Sequence, residues 1–264
     1  MNSRKFDIYQ VDAFTDQVFR GNPAAVCPVN GWLPELTMLS IAEENNLSET
    51  AFVNLDSDPY GIRWFTPRSE VDLCGHATLA SAKVLFDHYL SENETEIVFN
   101  SNRGRLEAIK KGDLIALDFP SDHALEIDSH KKVARALGVT PSFLYKGKDD
   151  LLAVFNSEKE IRFLVPDRTE ISMLDCRGII ATAPGTEDDF VSRCFYPGLG
   201  VIEDPVTGSA HTLLAPYWGE ILDKKIMKAR QISEREGRLL CELKKDRVLI
   251  SGRAVTYMVG EITI

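Results

Sequence analysis

Apolar and polar residues alternate through Phe6-Asp7-Ile8-Tyr9-Gln10-Val11-Asp12-Ala13-Phe14, the period of a half-buried strand. Asn22-Pro23 marks a turn, and the apolar run at 24–29 predicts a second strand. Then the period changes. Leu36, Leu39 and Ile41 share a broad face within 34–44, where Pro34 suits a first turn and Asn45-Asn46 a stop, so a helix is expected. Strands are expected again at 50–55 and 62–66. Residues 76–90 hold a single charge, Lys83, before Asp87, and a helix apolar nearly all round is a buried one. Strands after it, at 96–100, 105–110 and 114–119, imply a sheet rolled around that helix.

The second half repeats the plan. Strands are predicted near 151–155, 161–165, 178–183 and 191–196, followed by an apolar segment from Ser209. Pro216 lies inside that segment, so its helix should be short or kinked. Between the halves, Phe119-Pro120-Ser121-Asp122-His123 reads as a crossover, and Asp128 or Ser129 can cap a helix that ends at Gly138.

Phrases recur as well as plan. Gly75-His76-Ala77-Thr78-Leu79-Ala80 is echoed by Gly208-Ser209-Ala210-His211-Thr212-Leu213-Leu214-Ala215. Arg63-Trp64-Phe65-Thr66-Pro67 precedes the first copy and Arg193-Cys194-Phe195-Tyr196-Pro197 the second. Gly104-Arg105-Leu106 follows Gly75 by 29 residues, and Gly237-Arg238-Leu239 follows Gly208 by the same 29. An internal duplication of about half the chain accounts for this. It gives an α+β fold of two pseudo-symmetric lobes, each a barrel-like sheet around a central helix. One lobe is expected over 1–118, completed by a returning strand near 253–264, and the other over 119–252. Ligands of such folds usually bind where the lobes meet, so one site is expected there.

Each repeated glycine is expected to open a helix, whose unpaired N–H groups and positive dipole end suit a carboxylate or phosphate. The plainer alternative is a glycine that merely allows a tight turn. The copies diverge where chemistry needs divergence. Asp204 stands four residues before Gly208, whereas Val71 stands four before Gly75; His76 answers to Ser209. Glu49 lies 16 residues before Phe65, and the same offset from Phe195 reaches Ile179. Each lobe thus has a carboxylate that the other lacks, as one shared, asymmetric site requires. Glu49, between a helix and an apolar strand, is placed to be partly enclosed and to transfer a proton; a surface or helix-capping glutamate is the common alternative. Asp204 competes with an ordinary turn aspartate. His76 either orients substrate and tunes Glu49, or is a packed or capping histidine.

Composition narrows the classes further. A net charge of −10 and a pI near 5.1 argue against nucleic acid or an anionic membrane as partner. Five scattered cysteines without a Cys-x-x-Cys suggest a reduced, cytoplasmic protein. The start lacks the apolar core of a signal peptide, and no apolar stretch approaches a membrane span. The five histidines show no metal-ligand spacing, so no metal is expected. Gly-x-Ser-x-Gly, the P-loop and Gly-x-Gly-x-x-Gly are absent, against serine hydrolase, NTPase and dinucleotide enzyme.

Five phrases together carry a resemblance. They are Asp12-Ala13-Phe14-Thr15, Gly21-Asn22-Pro23-Ala24-Ala25-Val26, Leu47-Ser48-Glu49-Thr50-Ala51-Phe52, Leu73-Cys74-Gly75-His76-Ala77-Thr78 and Glu203-Asp204-Pro205-Val206-Thr207-Gly208-Ser209-Ala210. The chain resembles the PhzF-like phenazine-biosynthesis isomerases from its first strand to its end, and Trp64-Phe65-Thr66-Pro67 is similar to their MAWD-binding-protein branch. The resemblance implies a diaminopimelate-epimerase-like fold with the site between lobes. It also implies a cofactor-independent isomerase, usually a homodimer, acting on a small unsaturated carboxylic acid. Glu49 matches the family's acid/base, His76, Asp204 and Ser209 its substrate contacts, and Gly75 and Gly208 its backbone anion contacts. The related epimerases and racemases use one cysteine per lobe; here Cys74 precedes Gly75 but Thr207 precedes Gly208. An amino-acid epimerase using Cys74 is therefore the runner-up, and an idle binding protein of the same fold the competing class.

Overall fold

A computed structural model of the chain describes residues 3–128 and 130–264. The chain first forms β1 (Lys5–Ala13), β2 (Asn22–Val29), α1 (Glu35–Asn45), β3 (Glu49–Asn54), β4 (Tyr60–Phe65), β5 (Glu70–Val71), α2 (Gly75–His88), β6 (Glu96–Ser101), β7 (Gly104–Lys111) and β8 (Leu114–Pro120). There follow β9 (Leu125–Glu126), α3 (His130–Leu137), β10 (Phe143–Lys146), β11 (Leu151–Val154), α4 (Glu158–Arg162), α5 (Arg168–Ser172), β12 (Ile179–Pro184), β13 (Phe190–Tyr196) and β14 (Val201–Asp204). Last come α6 (His211–Leu222), β15 (Ile226–Gln231), β16 (Gly237–Lys244), β17 (Arg247–Gly252) and β18 (Ala254–Thr263). Two compact units result: residues up to Asp118 together with Ser251–Ile264, and Phe119–Ile250.

In the first unit β1 lies antiparallel between β2 and β18. α1 carries the chain across to β3, which runs parallel to β2, and β4 returns antiparallel. α2 makes a second crossover to β6, parallel to β4, and β6, β7 and β8 form a meander. The apolar girth of α2 has the consequence its sequence implies. From His76 to Phe86 only Lys83 escapes burial, and the helix packs on β1, β2, β3 and β18.

The second unit copies this order in its strand registers. β11 and β12 are parallel, β13 returns antiparallel, and α6 leads to β15, parallel to β13. Leu106 of β7 faces Phe99, and its repeat Leu239 of β16 faces Ala229. An arginine clamp is duplicated too. Arg63 donates through Nε and Nη2 to both oxygens of Glu70 at 2.7 and 2.5 Å, and Arg193 does the same to Glu203 at 2.7 and 2.7 Å. Each guanidinium also covers the ring of the phenylalanine two residues on, Phe65 at 5.2 Å and Phe195 at 5.0 Å. These bidentate forks tie β5 and β14 down, and those are the strands that lead to the two glycine turns.

Some local expectations give way. Residues 161–165 do not form a strand, because Ser157 caps α4 just ahead of them. Its hydroxyl accepts from the Glu160 N–H at 3.3 Å, an N-cap bond, and donates to the Glu160 carboxylate at 3.0 Å. Leu36 leaves the core and is 77% exposed; Met38, Ile41 and Ala42 make the buried face of α1. Asn22 and Pro23 already belong to β2, paired with Ala13 and Asp12. Gly138 ends α3 with φ 75°, as a left-handed stop should, while Ser129 lies outside the described residues. Pro216 falls within α6, which has 12 residues against the 14 of α2.

Candidate active site

In the first unit three sequence-predicted residues meet. Glu49 is the first residue of β3, brought beside Ala24 by the parallel pairing with β2. Gly75 and His76 open α2. The N-cap, Cys74, is extended and gives no side-chain cap, so the first-turn N–H groups of α2 keep their affinity for an anion. His76 Nε2 lies 3.2 Å from Glu49 Oε2, with side-chain exposures of 7% and 17%. Neither atom makes an aligned hydrogen bond among the described residues, so this is a close electrostatic contact that a ligand can realign. On the other edge of the ring, Nδ1 lies 3.2 Å from Asn22 Nδ2 and 3.5 Å from Cys74 Sγ.

The electrostatics of this cluster are unequal. Burial opposes an imidazolium at His76, yet Cys74 and Glu49 beside it favour one, and the sum holds the ring well above the ordinary histidine range. Burial, aided by the Glu49 charge, pushes the Cys74 thiol up. Glu49, Cys74 and His76 offer donor atoms within 4.8 Å of one another. The imidazole, however, presents a different nitrogen to each neighbour, and one ion held by all three would require the ring to turn. Thiol, imidazole and carboxylate stand in that order, with the ring between the other two.

The second unit presents different chemistry at the matching turn. Gly208 does not open the α-helix itself. His211, Thr212 and Leu213 donate to the carbonyls of Gly208, Ser209 and Ala210, a tight turn that precedes α6. Asp204, at the end of β14, accepts from Thr207 Oγ1 at 2.5 Å, and Gln231 Nε2 donates to the Asp204 carbonyl at 2.7 Å. The Thr207 hydroxyl is thereby committed as a donor, which leaves the place answering to Cys74 without a base. Ser209 is half-buried, with the Arg177 guanidinium 3.5 Å from its Oγ.

Strand register sharpens the comparison of the copies. Phe65 pairs with Thr50 and Phe195 with Ile179, so the position answering to Glu49 is Gly178, one residue from where the sequence offset points. Gly178 has no room for a side chain: a Cβ there would meet Tyr196 Cδ1 at 2.2 Å and the Phe195 carbonyl oxygen at 2.4 Å. Trp64 pairs with Val71 and Cys194 with Asp204, which sets Asp204 against Val71.

Residues 11–260 match the model of the family described as phenazine biosynthesis-like protein. The chain belongs to the phenazine biosynthesis-like family. An uncharacterized isomerase of Pseudomonas aeruginosa is 49% identical over 97% of this chain and 98% of its own. The crystal structure of a PhzF family protein from Enterococcus faecalis superposes with a TM-score of 0.96 at 45% identity, covering 99% of this chain and all of that one. A hydroxyproline epimerase of Agrobacterium vitis shares the fold alone, with a TM-score of 0.66 at 11% identity over 99% and 93% of the two chains. This phenazine biosynthesis-like protein is accordingly an isomerase with the α+β, epimerase-like fold. Among the described residues, no helix is long and apolar enough to cross a membrane.

Sequence reasoning missed three residues of these clusters. Asn22 is fully buried against His76, and its place in a Gly-Asn-Pro turn gave no sign of that contact. Arg177 and Asp150 form a two-pronged pair beside Ser209, with Nε to Oδ1 at 2.9 Å and Nη2 to Oδ2 at 2.5 Å. They lie 27 residues apart, outside every repeated phrase, and only the parallel pairing of β11 with β12 brings them together.

Proposed function

We propose that this protein is a cofactor-independent isomerase that shifts a proton between carbons of a small carboxylic acid, with Glu49 as general acid/base, and that it works as a homodimer in the cytoplasm. Gly75, His76, Gly208, Ser209 and Asp204 are its substrate-binding residues in this reading. The observation that carries it is the Glu49–His76 contact of 3.2 Å, built in one unit and sterically barred at Gly178 in the other. One carboxylate suffices if it takes and returns the proton on the same face of the substrate. A partly enclosed glutamate beside a histidine can exchange protons with substrate while the imidazole stabilises whichever charge results.

The test is exchange of a substrate C–H with deuterated water, followed by proton NMR on small unsaturated acids that raise the melting temperature. Wild type should exchange the proton, and Glu49→Gln should slow exchange by about a thousandfold or more. Exchange retained in Glu49→Gln would remove Glu49 from the role. The second reading, an amino-acid epimerase using Cys74, draws on the 3.5 Å contact between Cys74 Sγ and His76 Nδ1. The raised thiol and the committed Thr207 hydroxyl weigh against it.

A further inference from the structure

We propose that Arg177 and Ser209 form a carboxylate subsite in the second unit, with Asp150 as the residue that holds the guanidinium in place. This deepens the proposed function and rests on the reading of Ser209 as a substrate contact. Arg177 is fixed on three sides. Its inner edge donates to Asp150, whose side chain is 5% exposed; its face covers the Tyr196 ring at 5.3 Å; and Nη2 reaches Ser209 Oγ at 3.5 Å. The guanidinium has five N–H donors, and its contacts with Asp150 and Ser209 use only Nε and Nη2. Among the described residues no acceptor meets the Nη1 edge, and the side chain is 34% exposed. A planar cation held rigid on one edge and open on the other suits a carboxylate oxygen, with the Ser209 hydroxyl as the second donor.

The duplication supports a ligand role over a purely structural one. In the registers of the parallel strand pairs Arg177 answers to Ser48 and Asp150 to Ala24, so the pair is no part of the shared frame. That frame already has its own clamps in Arg63–Glu70 and Arg193–Glu203. The added pair stands beside the one residue, Ser209, that replaces His76. Asp150 balances the charge of Arg177, and Asp149 and Asp122 make its surroundings acidic, so the subsite works through geometry and its affinity is modest.

Crotonate and its neutral isostere crotonamide, titrated into the full chain by NMR, test the idea. Wild type should prefer crotonate by about tenfold. Arg177→Met with Asp150→Asn removes both halves of the pair, leaves no buried charge alone, and should abolish that preference. Ser209→Ala should reduce it by about threefold. If the double variant does not fold, Arg177→Lys replaces it: a lysine keeps the charge but not the fork, and the preference should fall about fivefold. A preference that persists within about twofold in the folded arginine variant, or is lacking in wild type, overturns the subsite. Failure of the Glu49 reading is separate, since it appears as exchange surviving in Glu49→Gln while the crotonate preference of wild type stands.

Discussion

The residue after each repeated glycine has opposite company in the two units. His76 touches a carboxylate and a thiol in the first; Ser209 touches a guanidinium balanced by a buried aspartate in the second. Around them the frames agree down to strand register and the arginine forks. The difference therefore shows which positions the duplicated frame leaves open. They are the ends of the parallel strand pairs, where Glu49 starts β3 and Arg177 lies just ahead of β12, and where a side chain can change without disturbing the ladder. The first unit fills its open positions with a carboxylate beside an imidazole, the second with a guanidinium and its balancing aspartate.

Gly178→Ala should break the comparison most severely. The added methyl would stand 2.2 Å from the Tyr196 ring and 2.4 Å from a backbone carbonyl that cannot step aside. A stability loss of about 3 to 5 kcal/mol is expected from chemical denaturation. Glu49→Ala, at the matching position, should cost no more than about 2 kcal/mol, the loss of its contact with His76, since a Cβ already fits there. A tolerated Gly178→Ala would mean that Gly178 is not the sterically closed counterpart of Glu49.

The buried histidines make the next contrast, because their pH dependences oppose each other. His211 of α6 is wholly buried with Nδ1 2.9 Å from the Thr207 carbonyl, and burial lowers its pKa from 6.5 to about 4. Its contribution is full above the ordinary value and is lost as pH falls toward 4, on the order of 3 kcal/mol. His76 is raised, so its contribution is full below the ordinary value and is lost as pH rises through its folded pKa. Denaturant midpoints across pH should show His211→Asn flattening the acid limb and His76→Asn flattening the opposite limb. Both substitutions acting on one limb would contradict the two environments.

What the sequence made legible, and what it hid, follows the range of the interactions. The buried helix α2 announced itself through continuous apolar residues, and Gly104 and Gly237 start matching strands of eight residues although the connections before them differ in length. Glu49 and His76 could be singled out because the family phrases contain them. Residues 161–165 misled, since five apolar-rich residues look alike in a strand and in a short helix, and the deciding signal was the Ser157 N-cap just before them. Arg177 with Asp150, and Asn22 with His76, depend on strands distant in sequence. No local pattern encodes such a pair.

The smallest effect is the one that best separates the two mechanisms. Cys74 is buried at 7% exposure, and its thiol, raised by burial and by Glu49, is a poor base before substrate arrives. Its counterpart Thr207 donates its hydroxyl to Asp204. A two-base inversion needs a proton acceptor on one face and a donor on the other, and neither residue is a ready acceptor. Cys74→Ala should therefore slow proton exchange by only about two- to fivefold, through a looser His76, against the thousandfold expected of Glu49→Gln. Were the two losses equal, thiol, imidazole and carboxylate would act as one unit, since groups that work together cost the same when any one is removed. The proton would then pass through Cys74, and the epimerase reading would displace the one-carboxylate isomerase.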